Sequence, residues 1–249
     1  MREIGNRLSA TALITGASSG IGLEFAKQYA AQGWSVIATH RHESTPPALA
    51  TAAAQSSCIR PEQLDVTVES QARALAQKLD GAPIDVLINN AAVAYDDNLS
   101  LETQEFGRLS FPLFDRIFAT NLRGALLVTE ALHANLKAGT QKKVVCMSST
   151  NGSLTEPLPG SSGTFYRASK AALNRAMMNV AEALRSDGIS VVLFHPGAVL
   201  TEKNVRFGEP YPGMISTELS VRHMINTISR LGPRDTGRFL RYDGERLPW

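Results

Sequence analysis

Short apolar runs rich in β-branched residues recur along the chain, and most precede a longer stretch in which apolar residues repeat with helical spacing. This alternation is typical of parallel strands joined by crossover helices. A weaker strand should end near Leu64. The clearest runs predict strands over residues 10–15, 35–39, 84–89, 143–148, 189–194 and 237–240.

The helical stretches end where helices commonly end. Gly33 and Gly188 each stand just after one, at the position where glycine closes a helix. No Pro- or Gly-rich linker and no fixed repeat interrupts the alternation. We therefore expect one domain over residues 1–249, with an α/β fold built on a Rossmann-type doubly wound parallel sheet of about seven strands and helices on both faces. The predicted helices cover residues 20–32, 69–79, 112–137, 165–187 and 217–231.

Two irregular stretches, residues 151–164 and 196–216, are rich in glycine and proline. Each follows a predicted strand and precedes a predicted helix. Long loops at the carboxyl ends of parallel strands commonly build binding sites in α/β proteins. We expect both loops to shape a substrate pocket, with passive surface loops as the alternative.

The first predicted strand runs directly into a glycine-rich turn, and a helix begins there. Glycines let the chain approach a pyrophosphate closely, and a helix start offers free N–H groups. The spacing differs from the common Gly-x-Gly-x-x-Gly fingerprint, and by itself it is equally compatible with a structural turn. Its place between strand and helix favours dinucleotide binding. The residues expected to bind the cofactor here are Gly16, Ser18, Ser19, Gly20, Ile21 and Gly22.

The end of the second strand bears on the choice of cofactor. Proteins that prefer NAD usually carry an acidic residue there, and residues 38–42 contain none. Arg41 offers a guanidinium that matches a 2′-phosphate. The sequence therefore favours NADP(H) over NAD(H), with a merely solvated Arg41 as the alternative.

Tyr166 and Lys170 are four residues apart in a predicted helix and should share one of its faces. An ammonium near a phenol favours the phenolate, which lowers the phenol pKa and makes the group a usable proton donor and acceptor. Such a pair also arises by chance in many helices, so alone it decides little.

Together these motifs resemble the short-chain dehydrogenase/reductase family. They occur in that family's order and extend over most of the chain, and the ending from Gly237 to Trp249 resembles its C-factor-like and sniffer-like carbonyl reductases. The matching residues are the turn 15–22, Asn89, Asn90 and Ala91, Asn121, Ser148 and Ser149, Tyr166 and Lys170, and Pro196 and Gly197.

The resemblance implies a catalytic tetrad of Asn121, Ser149, Tyr166 and Lys170. In it, Tyr166 protonates the carbonyl oxygen and Ser149 hydrogen-bonds the same oxygen. Lys170 holds the nicotinamide ribose and lowers the Tyr166 pKa, and Asn121 supports Lys170 through a water. The resemblance also implies that Asp65 and Val66 contact adenine, that Asn89, Ala91, Pro196 and Gly197 line the cofactor cleft, and that Thr201 contacts the nicotinamide carboxamide.

Three features depart from the family's pattern. Ala92 stands where the family usually has glycine, and we expect the backbone to accommodate it. The stretch from Ser149 to Tyr166 is longer than usual, so the choice of Ser149 over Ser148 as the catalytic serine rests less firmly on spacing. Ser19 stands where some NADP-selective members carry a second basic residue, so Arg41 acts alone.

Composition narrows the remaining possibilities. The net charge is +2, and no basic run with interleaved aromatics indicates nucleic-acid binding. No run is apolar and long enough for a membrane helix. Residues 1–9 do not resemble a signal peptide. The two cysteines are typical of reduced thiols in a cytoplasmic protein. The histidines show no metal-ligand spacing, so we expect no metal. We expect His195 to be a hydrogen-bonded structural histidine rather than a proton relay.

The leading hypothesis is a cytoplasmic NADP-dependent oxidoreductase that acts on a small carbonyl compound or alcohol. A nucleotide-binding signalling protein with incidental catalysis is the alternative. A sugar-nucleotide epimerase or dehydratase would need a different glycine spacing and a longer tail. Family members pair through the helices that correspond to residues 112–137 and 165–187, which implies a homodimer or homotetramer.

Overall fold

The computed structural model describes residues 9–95, 100–156, 160–202 and 212–249. Its centre is a seven-stranded sheet in the order β3-β2-β1-β4-β5-β6-β9, and each pair of neighbouring strands is parallel. The predicted fold class is thereby confirmed, including the weaker strand near Leu64. The strands are β1 (Thr11–Ile14), β2 (Ser35–His40), β3 (Ile59–Gln63), β4 (Val86–Asn89), β5 (Lys143–Met147), β6 (Ser190–His195), β7 (Val199–Leu200), β8 (Ile215–Ser216) and β9 (Arg238–Arg241).

Most helices follow the predicted bounds, and two regions differ. One helix was predicted over residues 112–137, but a π-helical segment, Ala119–Gly124, separates two α-helices there. Gly124 lies so close to Val66 that an added Cβ would be 2.7 Å from the valine Cγ2. A helix over Pro47–Gln55 was missed, because its alanine-rich sequence carries little periodicity. The helices are α1 (Gly20–Ala31), α2 (Pro47–Gln55), α3 (Glu69–Leu79), α4 (Phe111–Phe118), α5 (Ala125–Ala131), α6 (His133–Ala138), α7 (Thr164–Ala183) and α8 (Thr217–Arg230).

Two hydrophobic layers cover the faces of the sheet. Ile14 and Ile88 belong to the layer that includes residues of α1 and α8. Leu13 and Leu87, one position earlier on the same strands, belong to the layer that includes residues of α3, α5 and α7. Because both faces are covered, the inner strands are apolar throughout rather than alternating.

The sheet order places the candidate site at the carboxyl ends of β1 and β4. β1 pairs with β2 on one side and with β4 on the other, so the chain's progression across the sheet reverses between β1 and β4. Ligands of open α/β sheets bind in the crevice outside such a reversal.

Both expected substrate loops lie beyond strand ends on this edge. The first begins with a 3₁₀ turn, Thr150–Gly152, and its residues 157–159 lie outside the described part of the chain. In the second, β7 and β8 form a small parallel sheet, and residues 203–211 lie outside the description. Among the described residues, no helix has both the length and the apolar character needed to cross a membrane.

Candidate active site

The glycine-rich turn packs directly against the segment that follows β4. Gly16 has a φ of +66°, and a Cβ there would lie 2.8 Å from the Cα of Ala91. A Cβ on Gly22 would collide with the carbonyl oxygen of Gly16. The shape of the turn therefore depends on the absence of side chains at both positions.

Asn90 and Thr15 fasten the turn in place. The Asn90 Nδ2 donates to the carbonyl oxygens of Thr15 and Gly16, both at 3.0 Å. The Thr15 hydroxyl accepts from the backbone N–H groups of Asn90 and Ala91 at 3.0 and 3.1 Å. Asn90 is one of the residues that carry the family resemblance, but its role in holding the turn was not predicted from the sequence.

The side chain of Asn89 points away from the turn. Its Nδ2 donates to Thr129 Oγ1 at 2.9 Å and lies 3.7 Å from the Cys146 sulfur. Both partners are buried. Asn89 can therefore line the cofactor cleft, as expected, only with its backbone.

The segment after β6 comes close to the start of α1. A Cβ on Gly20 would lie 3.6 Å from Cγ2 of Thr201, so Thr201 borders the glycine-rich turn. Ser19, which precedes α1, makes no side-chain capping bond to the helix. The first N–H groups of α1 are thus left for another acceptor.

Pro196 and Gly197 form the bend between β6 and β7. The Pro196 carbonyl oxygen accepts a 2.6 Å hydrogen bond from Ser220 Oγ. Gly197 has a φ of +87°, and a Cβ there would lie 3.1 Å from the Tyr242 ring. The bend is therefore tied to α8 and to the chain after β9.

The ends of β2 and β3 lie side by side at the other end of the crevice, where the Leu64 N–H donates to the His40 carbonyl at 2.8 Å. Arg41 follows β2 and is exposed. The Asp65 carboxylate accepts from the Thr67 N–H at 2.9 Å and from its hydroxyl at 2.7 Å. Arg41 and Asp65 therefore flank one end of the crevice.

Ser149 and Ser148 have separate partners. The side chain of Ser149 lies close enough to Tyr166 to lower the pKa of its phenol, and its Oγ accepts from the Asn151 N–H at 3.2 Å. Ser148 Oγ donates to Asn174 Oδ1 at 2.5 Å and is buried. Of the two serines, the structure brings Ser149, which the sequence places in the tetrad, to the tyrosine.

The charges at this site differ from the expectation. Desolvation raises the pKa of Tyr166 to about 12, although the neighbouring Ser149 side chain acts to lower it. Burial also lowers the pKa of Lys170 to about 8. Its Nζ lies 5.7 Å from the centre of the Tyr166 ring and donates to the Met147 carbonyl at 2.7 Å. The expected lowering of the Tyr166 pKa by Lys170 is therefore not found in this structure, where burial raises that pKa and Ser149 opposes the rise.

Asn121 lies in the π-helical segment between α4 and α5. Its Oδ1 accepts from the Val93 N–H at 2.7 Å, and its Nδ2 donates to the Val93 carbonyl at 2.8 Å and to Ser169 Oγ at 3.0 Å. A π-helical turn often marks a functional site. Asn121 thus contacts the residue that precedes Lys170.

Comparison with known proteins gives the family. The model described as short chain dehydrogenase matches residues 10–212. This chain belongs to the short-chain dehydrogenase family. It is 37% identical to the C-signal protein of Myxococcus xanthus, over 71% of this chain and 99% of that protein.

Solved structures place this short-chain dehydrogenase near carbonyl reductases. The NADPH-bound carbonyl reductase from chicken fatty liver superposes with a TM-score of 0.85 at 27% identity, covering 97% of this chain and 99% of that one. The carbonyl reductase Sniffer of D. melanogaster gives 0.83 at 25% identity, with the same coverage. The expected resemblance to C-factor-like and sniffer-like proteins is thereby confirmed.

Gly152 also belongs to the site of this short-chain dehydrogenase. The sequence predicted it only as part of a loop. A Cβ there would lie 2.7 Å from the backbone carbon of Lys170. Asn174 Nδ2 donates to the Gly152 carbonyl at 3.2 Å. The turn after Ser149 therefore rests directly on the backbone of α7.

His195 lies at the end of β6, and burial lowers its pKa to about 4, with Arg241 adding to the effect. Its Nδ1 is buried with no hydrogen-bond partner in the described part of the chain. The imidazole is therefore neutral at physiological pH, as a structural role requires, but the expected hydrogen bond is not made by Nδ1. Within the same part of the chain, no cluster of His, Cys, Asp or Glu is arranged to hold a metal ion.

Proposed function

We propose that this protein is an NADP(H)-dependent oxidoreductase that transfers hydride between the nicotinamide and the carbonyl or alcohol carbon of a small molecule. The observation that carries the proposal is the grouping of Ser149, Tyr166 and Lys170, in which Ser149 acts on the Tyr166 phenol and the Lys170 Nζ lies 5.7 Å from the centre of the Tyr166 ring. This group lies on the sheet edge that holds the glycine-rich turn.

The residues around the crevice fit a dinucleotide. Gly16 presents only backbone beside Ala91, and the start of α1 offers N–H groups to a pyrophosphate. Gly20, Ile21 and Thr201 border the same place. Arg41 would hold a 2′-phosphate, and Asp65 and Val66 would contact the adenine. The NADPH bound by the similar chicken reductase supports this choice of cofactor.

Tyr166 is the proposed general acid in carbonyl reduction, and it acts as the general base in the reverse reaction, alcohol oxidation. The bound nicotinamide supplies the hydride. Ser149 donates a hydrogen bond to the same substrate oxygen and stabilises the negative charge that develops on it. Lys170 carries the positive charge that favours the phenolate during proton transfer, and Asn121 holds the hydroxyl of Ser169, the residue before Lys170.

The proposal extends to assembly and location. We propose a homodimer or homotetramer formed through α4 to α6 and α7, on which Leu126, Ala172 and Ala176 are small or apolar and only half-buried. Light scattering should return a mass of two or four chains, and a mass near 26.8 kDa would contradict it.

A cytoplasmic location is supported by the two free cysteines, Cys58 and Cys146.

A nicotinamide-absorbance screen tests the activity. Purified protein is mixed with NADPH, and in parallel with NADH, against aldehydes, ketones, quinones and pterins. We expect oxidation of NADPH with at least one class of carbonyl compound. Binding of NADPH without turnover on any of them would contradict the enzyme proposal and favour the signalling alternative.

A further inference from the structure

The backbone of Tyr166 is held on both sides. Its N–H donates to Gln104 Oε1 at 2.9 Å. Its carbonyl oxygen accepts from Ser169 Oγ at 2.7 Å, and that hydroxyl accepts from Asn121 Nδ2 at 3.0 Å. The Gln104 amide therefore holds the N–H of Tyr166, and the Asn121 amide holds its carbonyl through Ser169.

The same two amides hold consecutive residues of the segment after β4. Gln104 Nε2 donates to the Ala94 carbonyl at 2.8 Å. Asn121 pairs with both backbone groups of Val93, at 2.7 and 2.8 Å. The position of Tyr166 is thus coupled to residues 93–94 through Gln104 and Asn121.

Gln104 is well suited to this task. It is 0% exposed and ends a 3₁₀ turn, Glu102–Gln104, in a segment separate from α7. The first N–H groups of a helix have no partner within the helix. Gly163 precedes α7 and has no side chain with which to cap it. Gln104 supplies that cap from outside the helix, at Tyr166.

We propose that Gln104 is a positioning residue for Tyr166, which locks the start of the catalytic helix onto the segment after β4. The inference rests on the proposed function. The role needs a group that accepts from Tyr166 and also donates to Ala94, and a neutral amide does both. A carboxylate can only accept.

The test compares two substitutions at Gln104 with a matched control. Gln104→Met keeps much of the volume and removes both hydrogen bonds. Gln104→Glu keeps the acceptor, and it regains the donor only when its carboxyl is protonated. Asn135→Leu is the control, since Asn135 is another buried amide that donates to a backbone carbonyl, that of Ala82 at 2.9 Å, on the opposite edge of the sheet.

For Gln104→Met we expect kcat to fall about tenfold to hundredfold, because small displacements of a catalytic group have effects of this size. The Kd for NADPH should stay within about twofold, since the proposed contacts of the glycine-rich turn and of Arg41 with the cofactor are unchanged. Hydrogen exchange of the Tyr166 amide should become at least about tenfold faster. For Gln104→Glu, kcat relative to wild type should be higher at pH 5.5 than at pH 8.5, because the protonated carboxyl can donate to Ala94. The control should lose thermal stability and keep its kcat.

Unchanged exchange at Tyr166 in Gln104→Met, or a kcat within about twofold of wild type, would overturn the proposal. An equal loss of kcat in Asn135→Leu would do the same, since the effect would then be one of general stability. The proposed function fails if the wild-type protein oxidises NADPH with no carbonyl compound, and this result is distinct from those above. The exchange measurement needs no turnover and decides the role of Gln104 in either case.

Discussion

Lys170 Nζ donates a 2.7 Å hydrogen bond to the carbonyl oxygen of Met147, the last residue of β5. The lysine is 2% exposed, and burial lowers its pKa to about 8. A single carbonyl does not replace the water that an ammonium loses. The fold therefore keeps a charge where it reduces stability, as expected of a functional group.

This cost should depend on pH. The pKa of Lys170 is lower in the folded protein, at about 8, than its ordinary value of 10.5. Below pH 8 the charged lysine therefore lowers the free energy of unfolding by its full amount. This destabilisation is relieved as the pH rises from 8 towards 10.5. The unfolding free energy of wild type relative to Lys170→Met should rise by about 1–3 kcal/mol between pH 7 and 10. Urea unfolding of both proteins at several pH values measures it, and a constant difference would contradict the buried charge.

The two serines should separate activity from stability. Ser149→Ala should lower kcat about 10²- to 10³-fold, because a donor to the developing negative charge is lost. Ser148→Ala should change kcat by less than about threefold and reduce stability by about 1–2 kcal/mol, since Asn174 loses its buried partner. Steady-state kinetics and urea unfolding of both variants provide the check. A reversal of the two effects would make Ser148 the catalytic serine.

Arg41 should set the cofactor preference. Charge-assisted hydrogen bonds to a 2′-phosphate would favour NADPH over NADH by about tenfold to hundredfold. Arg41→Asp should reverse the preference, because a carboxylate repels the phosphate and accepts from a ribose hydroxyl. The change should appear mainly in the KM for NADPH, since the phosphate is far from the reacting carbon. Equal use of both cofactors by wild type would reduce Arg41 to a solvated charge.

The sequence predicted the sheet well because its signal is local. Each buried strand is a short apolar run, and Gly33 and Gly188 mark helix ends that the structure also shows with positive φ. The break at Ala119–Gly124 could not be predicted, since it depends on contacts with residues far along the chain, Val66 and Val93. That the chain folds as one domain stays a prediction.

At the site, the motifs predicted which residues come together, but not how each is paired. The partners of Ser148 and Ser149 are set by α7, which lies beyond the loop that follows them. The high pKa of Tyr166 arises from desolvation, which spacing along a helix does not reveal. Gln104 carries no motif, because its role comes only from where the folded chain places it.

Replacement of Tyr166 by phenylalanine tests the central claim most directly. Tyr29→Phe is the matched control, because Tyr29 is a buried helix tyrosine whose hydroxyl has no partner among the residues that the structure describes. With NADPH and the best carbonyl substrate, Tyr166→Phe should lower kcat by about two orders of magnitude or more, while the Kd for NADPH stays near that of wild type. Tyr29→Phe should leave both unchanged. Turnover by Tyr166→Phe within a few-fold of wild type would contradict the account, because Tyr166 would then not be the proton donor.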